Sequence, residues 1–289
     1  MPMRPRALVP LVLVLALALP VGRASAAGSS TVAALQVALQ ARLLYVGPID
    51  GVAGPDTTAA VRRLQRRAGL PVDGVVGART RAALGRYARH ALGSRPLTRG
   101  AFGWDVAELQ FLLAWHGFPS GAFDGRLGWR AAGALRRFQA YAALPADGVA
   151  GAGTIAALHA PMPISPITLA WPLSAPRMGD SFGPRGNRFH AGIDLISRRG
   201  TPVAAAGPGR VVWAGFRAGG WGRLVTIAHA DGVRSMYAHL SRVDVRLGQS
   251  VATGEPVGLV GATGDATGPH LHFELRVRGA AVDPLTALR

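Results

Sequence analysis

The sequence predicts two small all-α modules followed by an antiparallel all-β domain. Shifting the chain against itself by 74 positions aligns residues 32–84 with residues 106–158 without a gap, at about half identical residues. Beyond a proline-rich stretch near residue 160, helical patterns give way to short β-rich runs broken by glycine. Four histidines and one aspartate stand in three short segments of this second part, which makes it the candidate site of chemistry.

Residues 1–26 have the three parts of a secretion signal. Arg4 and Arg6 precede an apolar run at residues 7–19, and a small-residue cleavage motif follows at residues 24–26. The run is short for a bilayer span, and an uncleaved anchor is the alternative interpretation. Because no later stretch approaches membrane length, we expect a mature protein outside the cytoplasm.

The composition excludes several chemistries and constrains the partner. Cysteine and lysine are both absent, which excludes thiolate nucleophiles, disulfides, cysteine-ligated metals and Schiff-base catalysis. The formal net charge of +17 therefore rests on arginine alone. Outside the cytoplasm nucleic acid is not the expected partner, so this charge indicates either binding to anionic cell-wall polymers or a merely solvated basic surface.

Each repeat carries the same short signature twice. An Asp-Gly pair, which marks a tight turn, is followed three residues later by another glycine. The four pairs are Asp50-Gly51, Asp73-Gly74, Asp124-Gly125 and Asp147-Gly148. A helical pattern follows the turn, as in residues 57–67, where Val61 and Leu64 form an apolar stripe and four arginines lie largely off it. The modules are therefore predicted to be small and helical.

The repeats resemble the peptidoglycan-binding-like domain found beside many wall hydrolases. The motifs that carry the resemblance are LQ near the start, IDGVAG, a helix that ends in RLQ or RFQ, and GLPVDGVVGART. It implies wall-binding modules at residues 30–87 and 103–160, although related modules also serve as spacers. The second copy has Ala131 where the first has Thr57, and its Trp115 and Trp129 have no aromatic counterparts. These tryptophans either stack on sugar or belong to the core.

A proline-rich linker at residues 161–168 separates the repeats from a third domain at residues 169–289. Such a composition predicts a semi-rigid spacer rather than a packed element. Beyond it, β-rich runs at residues 210–216, 223–230 and 233–240 favour an antiparallel β domain.

Two segments of the third domain alternate apolar and polar residues as strands do. In residues 189–195 the alternation predicts one strand with His190 and Asp194 on the same face. In residues 270–275 it places His270 and His272 on the face away from the core. Two strands therefore offer imidazole and carboxylate groups from one side.

A predicted hairpin excludes one further histidine from this group. Asp231-Gly232 has the composition of a two-residue turn, in which His229 would face Arg234 and Leu224 would face His239. Residues 234 and 239 are five apart and so lie on opposite faces of their strand. We therefore expect His229 to lie outside the site.

The other four histidines and Asp194 together suit a hydrolytic zinc site. A single histidine in a strand is commonly structural or exposed, but five such groups form a different pattern. Zinc in hydrolases is held by three nitrogen or oxygen ligands with water in the fourth position. Two histidines and one aspartate leave the metal positive enough to acidify that water, and two imidazoles stay available for catalysis.

These segments resemble the LytM/lysostaphin-type zinc endopeptidases of peptidase family M23. The signature is H-x3-D, then Y-x-H-L, then GATGDATGP running into HLHFE, and the similarity spans about residues 171–284. It implies an antiparallel, duplicated-hybrid-motif-like β domain with one zinc ion per chain, bound by His190, Asp194 and His272. The resemblance leaves His239 and His270 to assist catalysis. It further implies cleavage of peptide bonds in peptidoglycan stem peptides or cross-bridges by a secreted protein of the cell wall or periplasm.

Physical reasoning assigns roles to the residues around the predicted metal site. We assign His270 as general base and His239 as stabiliser of the oxyanion, although the sequence does not fix which does which. Glu274 orients a metal ligand or, as the commoner case, lies on the surface. Arg185 binds substrate or stabilises its loop. Only four residues separate Arg185 from His190, which predicts an open groove that admits branched stem peptides.

Two non-enzymatic functions are the alternatives. Some relatives lose zinc ligands and activate other wall hydrolases, and a plain wall anchor would use the β domain as a structural cap. All five site positions are filled here, which disfavours both. The sequence indicates neither the scissile bond, nor the substrate-binding residues, nor the oligomeric state.

Overall fold

The computed structural model describes residues 28–289, so the predicted secretion signal at residues 1–26 lies outside the described residues. Within these described residues, six α-helices come first and thirteen β-strands follow, which confirms the predicted fold class. The domain boundaries given above stay predictions. Among residues 28–289, none of the helices has the length and apolar character that a bilayer span requires.

The helices divide evenly between the two repeats. The first repeat contributes α1 (Ser30–Gln40), α2 (Pro55–Arg67) and α3 (Ala78–Ala83), and the second contributes α4 (Trp104–Trp115), α5 (Trp129–Tyr141) and α6 (Ala152–Leu158). Helices α1 and α4 are equivalent under the 74-residue shift, and they pack against each other in a shared hydrophobic cluster. The two repeats therefore pack together as a pair and do not form two separate domains.

The amphipathic pattern predicted for the second helix is present. Helix α2 begins at Pro55, whose fixed φ and missing N–H suit the first turn of a helix. Val61 and Leu64 are buried, whereas Arg66 and Arg67 are exposed. The apolar stripe thus faces the core of the repeat and the arginines face solvent.

A buried glutamine holds each Asp-Gly turn, a feature that the sequence reading missed. In the first turn, Gln36 donates from Nε2 to Asp50 Oδ1 over 2.7 Å and accepts at Oε1 from the Gly51 N–H over 2.9 Å. Gln65, Gln110 and Gln139 make the same pair of contacts in the other three turns. The recurring LQ and FQ pairs were the available signal. Each glutamine satisfies buried polar groups that would otherwise destabilise the turn.

The β domain consists of three antiparallel sheets. Its strands are β1 (Arg177–Met178), β2 (Gly183–Arg185), β3 (Arg188–His190), β4 (Ile193–Ile196), β5 (Pro202–Ala204), β6 (Gly209–Arg217), β7 (Gly222–Ala228), β8 (Val233–Leu240), β9 (Arg242–Val243), β10 (Ser250–Val251), β11 (Pro256–Leu259), β12 (His270–Val277) and β13 (Ala280–Val282). The main sheet has the order β1-β4-β12-β8-β7-β6-β10, with β13 paired to β12. Strands β5, β11 and β9 form a second sheet, and β2 pairs with β3 in a third.

One face of the main sheet covers the core and the other carries the candidate site. Leu271, Phe273 and Leu275 of β12 are fully buried in the core cluster. The residues that alternate with them, His270 and His272 included, project from the opposite face, as predicted. Strand β12 lies between β4 and β8, so both neighbours can bring side chains to this face.

Two local predictions are wrong. Residues 189–195 form two strands rather than one, because the chain breaks at Ala191 and Gly192 between β3 and β4. The β7–β8 turn has three residues rather than two, since Ala228 pairs with Arg234 and the His229 N–H donates to the Val233 carbonyl. Asp231 adopts a left-handed φ of 55°, and Gly232 one of 70°, which the longer turn requires.

The repeats pack directly against the β domain. Trp115, at the end of α4, lies 5.3 Å from the Phe189 ring and 6.2 Å from the Phe182 ring, centroid to centroid. Met162 of the proline-rich segment also packs against the cluster shared by α1 and α4. The expectation of an unpacked spacer is therefore wrong at Met162, because apolar surface was available there to cover it.

Candidate metal centre

Three of the predicted site residues bring their donor atoms to one point. His272 Nδ1 lies 2.8 Å from Asp194 Oδ1 and 3.0 Å from His190 Nε2. His190 Nε2 lies 3.2 Å from the same Asp194 oxygen. All three side chains are buried, and they form the one group of three or more such donors found among residues 28–289. This is the set that the resemblance implied as metal ligands.

The sheet register brings two of these donors together. His272 of β12 and Asp194 of β4 are direct cross-strand partners, so their side chains leave the sheet on the same face. The break between β3 and β4 requires Gly192, because a Cβ there would lie 2.4 Å from the Phe273 carbonyl oxygen. That close approach turns the chain so that His190, although outside the main sheet, reaches the other two donors.

Hydrogen bonds orient both imidazoles. His190 donates from Nδ1 to the Ser181 carbonyl over 2.9 Å, which leaves the Nε2 lone pair for a metal. His272 presents Nδ1 to the centre, and its Nε2 lies 3.3 Å from Glu274 Oε1. A carboxylate behind a metal-ligating imidazole fixes the ring and raises its basicity.

The electrostatics favour an anionic carboxylate at the centre. Burial opposes the ionised form of Asp194, but the His190 and His272 imidazoles beside it outweigh burial and hold its pKa well below the usual range. Burial likewise opposes the charged form of His272, yet the Asp194 and Glu274 carboxylates raise its pKa to about 9. The pocket is thus arranged to receive positive charge.

Glu274 is not a surface residue, so the commoner interpretation of the sequence is wrong. The residue is 2% exposed, and Oε2 accepts from Arg276 over 2.8 Å. Burial opposes its ionisation, but the Arg276 charge and the His272 contact lower its pKa. Because Glu274 and Arg276 are two apart on one strand, their pairing was the signal available in the sequence.

Arg185 touches the centre from outside. Its Nη1 donates to Asp194 Oδ2 over 3.2 Å and to Asp180 Oδ2 over 2.9 Å. The Asp194 oxygen beside His190 and His272 is Oδ1, so this contact orients the carboxylate from its other side. Of the two roles considered for Arg185, the contacts support stabilisation of the loop.

His239 and His270 flank the centre with similar hydrogen bonds. His239 donates from Nδ1 to the Thr263 carbonyl over 2.7 Å, and His270 donates from Nδ1 to the Gly268 carbonyl over 2.9 Å. Their ring centroids are 4.8 Å apart, and His270 Nε2 lies 3.7 Å from Asp194 Oδ1. Burial lowers the pKa of His239, although its Thr263 contact opposes that effect.

A β-bulge brings His239 to this face. Arg223 pairs with Leu240 and Val225 pairs with Tyr237, so two residues of β8 lie opposite Leu224 alone. Tyr237 is in the core, and strict alternation would therefore turn His239 toward the core as well. Within the bulge His239 has a left-handed φ of 61°, which re-aims its side chain.

The structure separates His229 from these five residues. His229 contacts the Pro208 carbonyl through Nδ1 over 2.8 Å and the Ser235 hydroxyl through Nε2 over 2.7 Å. The prediction that it lies outside the site agrees with this position, even though the hairpin register used to reach it was off by one residue. Trp115 and Trp129 differ in burial. Trp115 is only 7% exposed and belongs to the core, whereas Trp129 is 72% exposed.

The centre lies in an open groove of about 600 Å³. All lining residues fall between positions 179 and 274, including Trp221 and Asp265, and no residue of the repeats contributes. The repeats therefore leave the groove accessible.

The donor set fits zinc. Two imidazole nitrogens and one carboxylate oxygen, within 4.8 Å of one another, match the three-ligand arrangement of hydrolytic zinc sites. His190 would bind through Nε2, His272 through Nδ1 and Asp194 through Oδ1. The groove leaves the remaining position open.

Two family models match the chain. The model of "Peptidase family M23" matches residues 188–284. The model of "Putative peptidoglycan binding domain" matches residues 28–84 and 103–158.

The similar proteins include a peptidase and an activator. The chain is 44% identical over 121 residues to the DD-carboxypeptidase/endopeptidase Mpg of Neisseria meningitidis, covering 40% of this chain and 28% of that protein. It is 38% identical over 128 residues to the murein hydrolase activator NlpD of Escherichia coli, covering 44% and 32%. The chain thus spans less than a third of the length of these curated relatives.

Among solved structures, the catalytic domain of lysostaphin from Staphylococcus simulans is 34% identical. The match covers 38% of this chain and 90% of that one, with a TM-score of 0.37.

Proposed function

The chain contains a domain of peptidase family M23 and two peptidoglycan-binding domains, and from this we propose that it is a secreted zinc-dependent endopeptidase of the cell envelope. It hydrolyses peptide bonds in peptidoglycan stem peptides or cross-bridges, and the two repeats direct it to the wall. The observation that carries this proposal is the convergence of His190, Asp194 and His272 beside two further imidazoles.

The residues around the centre support a division of labour. Zinc, when bound, supplies a Lewis acid that polarises the scissile carbonyl and lowers the pKa of the attacking water. His270 keeps its proton on Nδ1 against the Gly268 carbonyl, so its Nε2 is free to take the proton of that water. The Nε2 atom of His270 lies 3.7 Å from Asp194 Oδ1, so this imidazole borders the proposed metal site. The same imidazole can return the proton to the leaving amine.

His239 is proposed to stabilise the oxyanion of the tetrahedral intermediate. Its Nδ1 proton is committed to the Thr263 carbonyl, so donation to an oxyanion requires a second proton on Nε2. Burial lowers the pKa of His239, so the ring would take up this second proton from solvent as negative charge develops beside it.

The shape of the groove supports a branched substrate. Strands β2 and β3 are joined at Gly186 and Asn187 alone, so no long loop covers this side of the centre. An open wall of this kind admits stem peptides that carry a second chain. Release of glycine-bridge fragments only, with stem cross-links intact, would contradict this part of the proposal.

Mass spectrometry of fragments from defined peptidoglycans tests the function. Zinc-loaded protein is expected to release cleaved stem or cross-bridge peptides, and chelated protein and His270→Ala are expected to release none. The absence of zinc-dependent cleavage from every wall tested would sink the proposal.

Activation of another wall hydrolase is the alternative function, favoured by the similarity to NlpD. Against it, all three ligand positions and both flanking histidines are filled. An activator would stimulate a second hydrolase equally well after His270→Ala, whereas a peptidase would lose its own activity.

We propose that the first repeat contributes more to wall binding than the second, because it carries more positive charge. Residues 28–84 contain seven arginines and three aspartates, whereas residues 103–158 contain four arginines and four acidic residues. The difference is clear on the second helix of each repeat, where Ala140 and Tyr141 replace Arg66 and Arg67. An excess of exposed arginine on one repeat suits attraction to anionic wall polymers, and a solvated surface is the alternative.

A further inference from the structure

Both repeats hold the turn of the β2–β3 hairpin. The Ile49 N–H donates to the Gly186 carbonyl over 2.8 Å, and the Phe123 N–H donates to the Asn187 carbonyl over 2.7 Å. Ile49 and Phe123 are equivalent positions, separated by the 74-residue period of the repeats. The same backbone donor of each repeat therefore binds one of two adjacent carbonyls at the tip of the hairpin.

An aromatic cluster fixes the base of the same hairpin. The Trp115 ring makes edge contacts with Phe182 and Phe189, whose own centroids are 4.9 Å apart. Trp115 has no aromatic counterpart in the first repeat, where the equivalent position is Ala41. The second repeat therefore has a large aromatic side chain at the position that contacts the hairpin, whereas the first repeat has alanine there.

This hairpin ends at His190, a proposed metal ligand that does not belong to the main sheet. Strand β3 terminates at His190 and pairs only with β2, so the ladder that aligns Asp194 with His272 does not extend to it. The strand contact of His190 is with Gly183, and Gly183 itself packs near Trp115. Contacts with the repeats therefore help to set where His190 lies relative to the other two donors.

A second contact fixes the repeats relative to the sheet. The Ala281 N–H of β13 donates to the Gly117 carbonyl over 3.0 Å, and Arg278 stacks on Tyr141 at 5.0 Å. Strand β13 pairs with β12, which carries His272. The repeat pair thus bridges the hairpin of His190 and the sheet of His272.

We propose that the docked repeat pair positions His190 for the metal, with Trp115 as the principal positioning residue. The repeats are then a support of the metal centre and not only a means of binding the wall. This inference rests on the proposed function insofar as the metal is zinc.

Zinc affinity of the full chain, measured by competition with a chromogenic chelator, tests the proposal. Trp115→Ala is expected to weaken zinc binding, by up to the roughly tenfold to hundredfold that loss of a direct partner of a metal ligand costs. Trp129→Ala is the matched control, because it removes a tryptophan of the same repeat from an exposed position, and the zinc affinity of this variant is expected to equal that of the unaltered chain. Trp115→Phe, which keeps an aromatic ring, is expected to retain most of the zinc affinity that Trp115→Ala loses.

Phe182→Ala tests the same contact from the β domain and leaves both repeats intact. It is expected to lower zinc affinity as Trp115→Ala does, and the double variant is expected to lose less than the two single losses combined. If Trp115→Ala loses its helical circular dichroism, that variant has not folded, and the zinc affinity of Phe182→Ala alone tests the positioning role. Affinities unchanged in every correctly folded variant overturn the positioning role. An unaltered chain that binds no zinc would instead overturn the proposed function.

Discussion

His239 is held in a backbone conformation that few residues accept. A left-handed φ costs a residue with a Cβ about 1 kcal/mol or more, whereas glycine accepts it readily. This cost persists because the bulge turns the side chain toward the groove, where a histidine without the bulge would face the core. Local strain is thus associated with the proposed catalytic position.

Two substitutions at this position separate strain from function. His239→Gly and His239→Ala are both expected to abolish wall cleavage, because both remove the imidazole. The glycine variant is expected to be more stable than the alanine variant by about 1 kcal/mol, since only alanine bears the left-handed cost. Urea unfolding of the two variants measures the difference, and equal stabilities would contradict the left-handed bulge.

Glu274 offers a second test at the level of single residues. Glu274→Gln removes the negative charge behind His272, and we expect zinc affinity to fall by about tenfold to hundredfold. Glu255→Gln is the matched control, because Glu255 contacts Gln249 and the Ala252 N–H, away from the centre. Chelator competition provides the measurement. A loss as large in the control would show a general effect of charge and would argue against the orienting role.

The sequence predicted side chains best where strict alternation applied. His270 and His272 lie on the face that alternation assigned, because β12 is a regular central strand. His239 reaches the same face only through a bulge, and a single extra residue in a ladder leaves little trace in local composition. Glutamate is exposed on average, whereas the burial of Glu274 depends on its contacts with both Arg276 and His272.

The two repeats differ at the helix end that meets the β domain. Position 43 in the first repeat and position 117 in the second both have a left-handed φ, of 58° and 85°. Leu43 is 91% exposed, whereas Gly117 approaches β13 so closely that a Cβ would lie 2.2 Å from the Ala281 carbonyl oxygen. The glycine is therefore required by contact as well as by conformation.

Exchanging these residue types is expected to have opposite effects. Leu43→Gly is expected to raise the free energy of unfolding by about 1 kcal/mol, because it removes the left-handed cost from an exposed leucine. Gly117→Leu is expected to lower it by about 2 kcal/mol or more, since it adds that cost and forces β13 away. Denaturant unfolding of both variants checks the signs, and a tolerated leucine at position 117 would contradict the close contact.

Acidification is expected to weaken the contact between the ends of α4 and α6. His116 is buried next to Trp115 and donates from Nε2 to the Leu158 carbonyl over 2.9 Å. Burial lowers its pKa below the ordinary value of 6.5, although the carbonyl contact opposes this. The unfolded chain therefore binds the proton more readily, and stability that is full above pH 6.5 decreases as the pH falls toward the lowered pKa.

His116→Gln tests this pH dependence because it keeps a donor without titrating. The unaltered chain is expected to lose at most about 1.4 kcal/mol per pH unit through this one group below pH 6.5. His116→Gln is expected to reduce that slope, and the exposed His159→Gln is expected to leave it unchanged. Urea midpoints between pH 5 and 8 give the measurement. Parallel curves for all three proteins would contradict the effect of burial.

Element types were predictable from periodicity, whereas turn lengths were not. The runs at residues 210–216 and 233–240 became β6 and β8 with one residue or less of difference at their ends. Asp231-Gly232 predicted a two-residue turn, but the left-handed Asp231 belongs to a three-residue loop of similar composition. The same residue types serve both turns, so composition alone does not choose between them.

On the scale of the whole molecule, the repeats and the β domain form one packed body. Proline between domains is typical of spacers, and nothing in that segment reveals that Met162 is covered. The docking surfaces consist of single positions in different elements, such as Trp115, Gly117 and Phe182. Such long-range complementarity has no periodic pattern in the sequence. The sequence therefore predicted the repeats and the β domain but not the way they pack together.

Because the parts are packed together, zinc binding in the β domain is expected to stabilise the helices of the repeats. All α-helices among residues 28–289 lie in the repeats, and the three predicted ligands lie in the β domain, so helical circular dichroism reports on residues that do not touch the metal. Zinc at a hundred times its Kd adds about 2.7 kcal/mol of stability to whatever unfolds with the site. For a unit of this size, that corresponds to a rise in Tm of roughly 5–10 °C.

The Tm of the helical signal, measured with zinc and with chelator, distinguishes one cooperative unit from independent domains. Asp194→Ala is the control, because it removes a proposed ligand and is expected to abolish the shift. Trp115→Ala is expected to uncouple the domains, so that zinc still binds to the β domain but no longer shifts the helical signal. A helical Tm that ignores zinc in the unaltered chain, while the β domain responds, would show that the docked repeats unfold independently of the site.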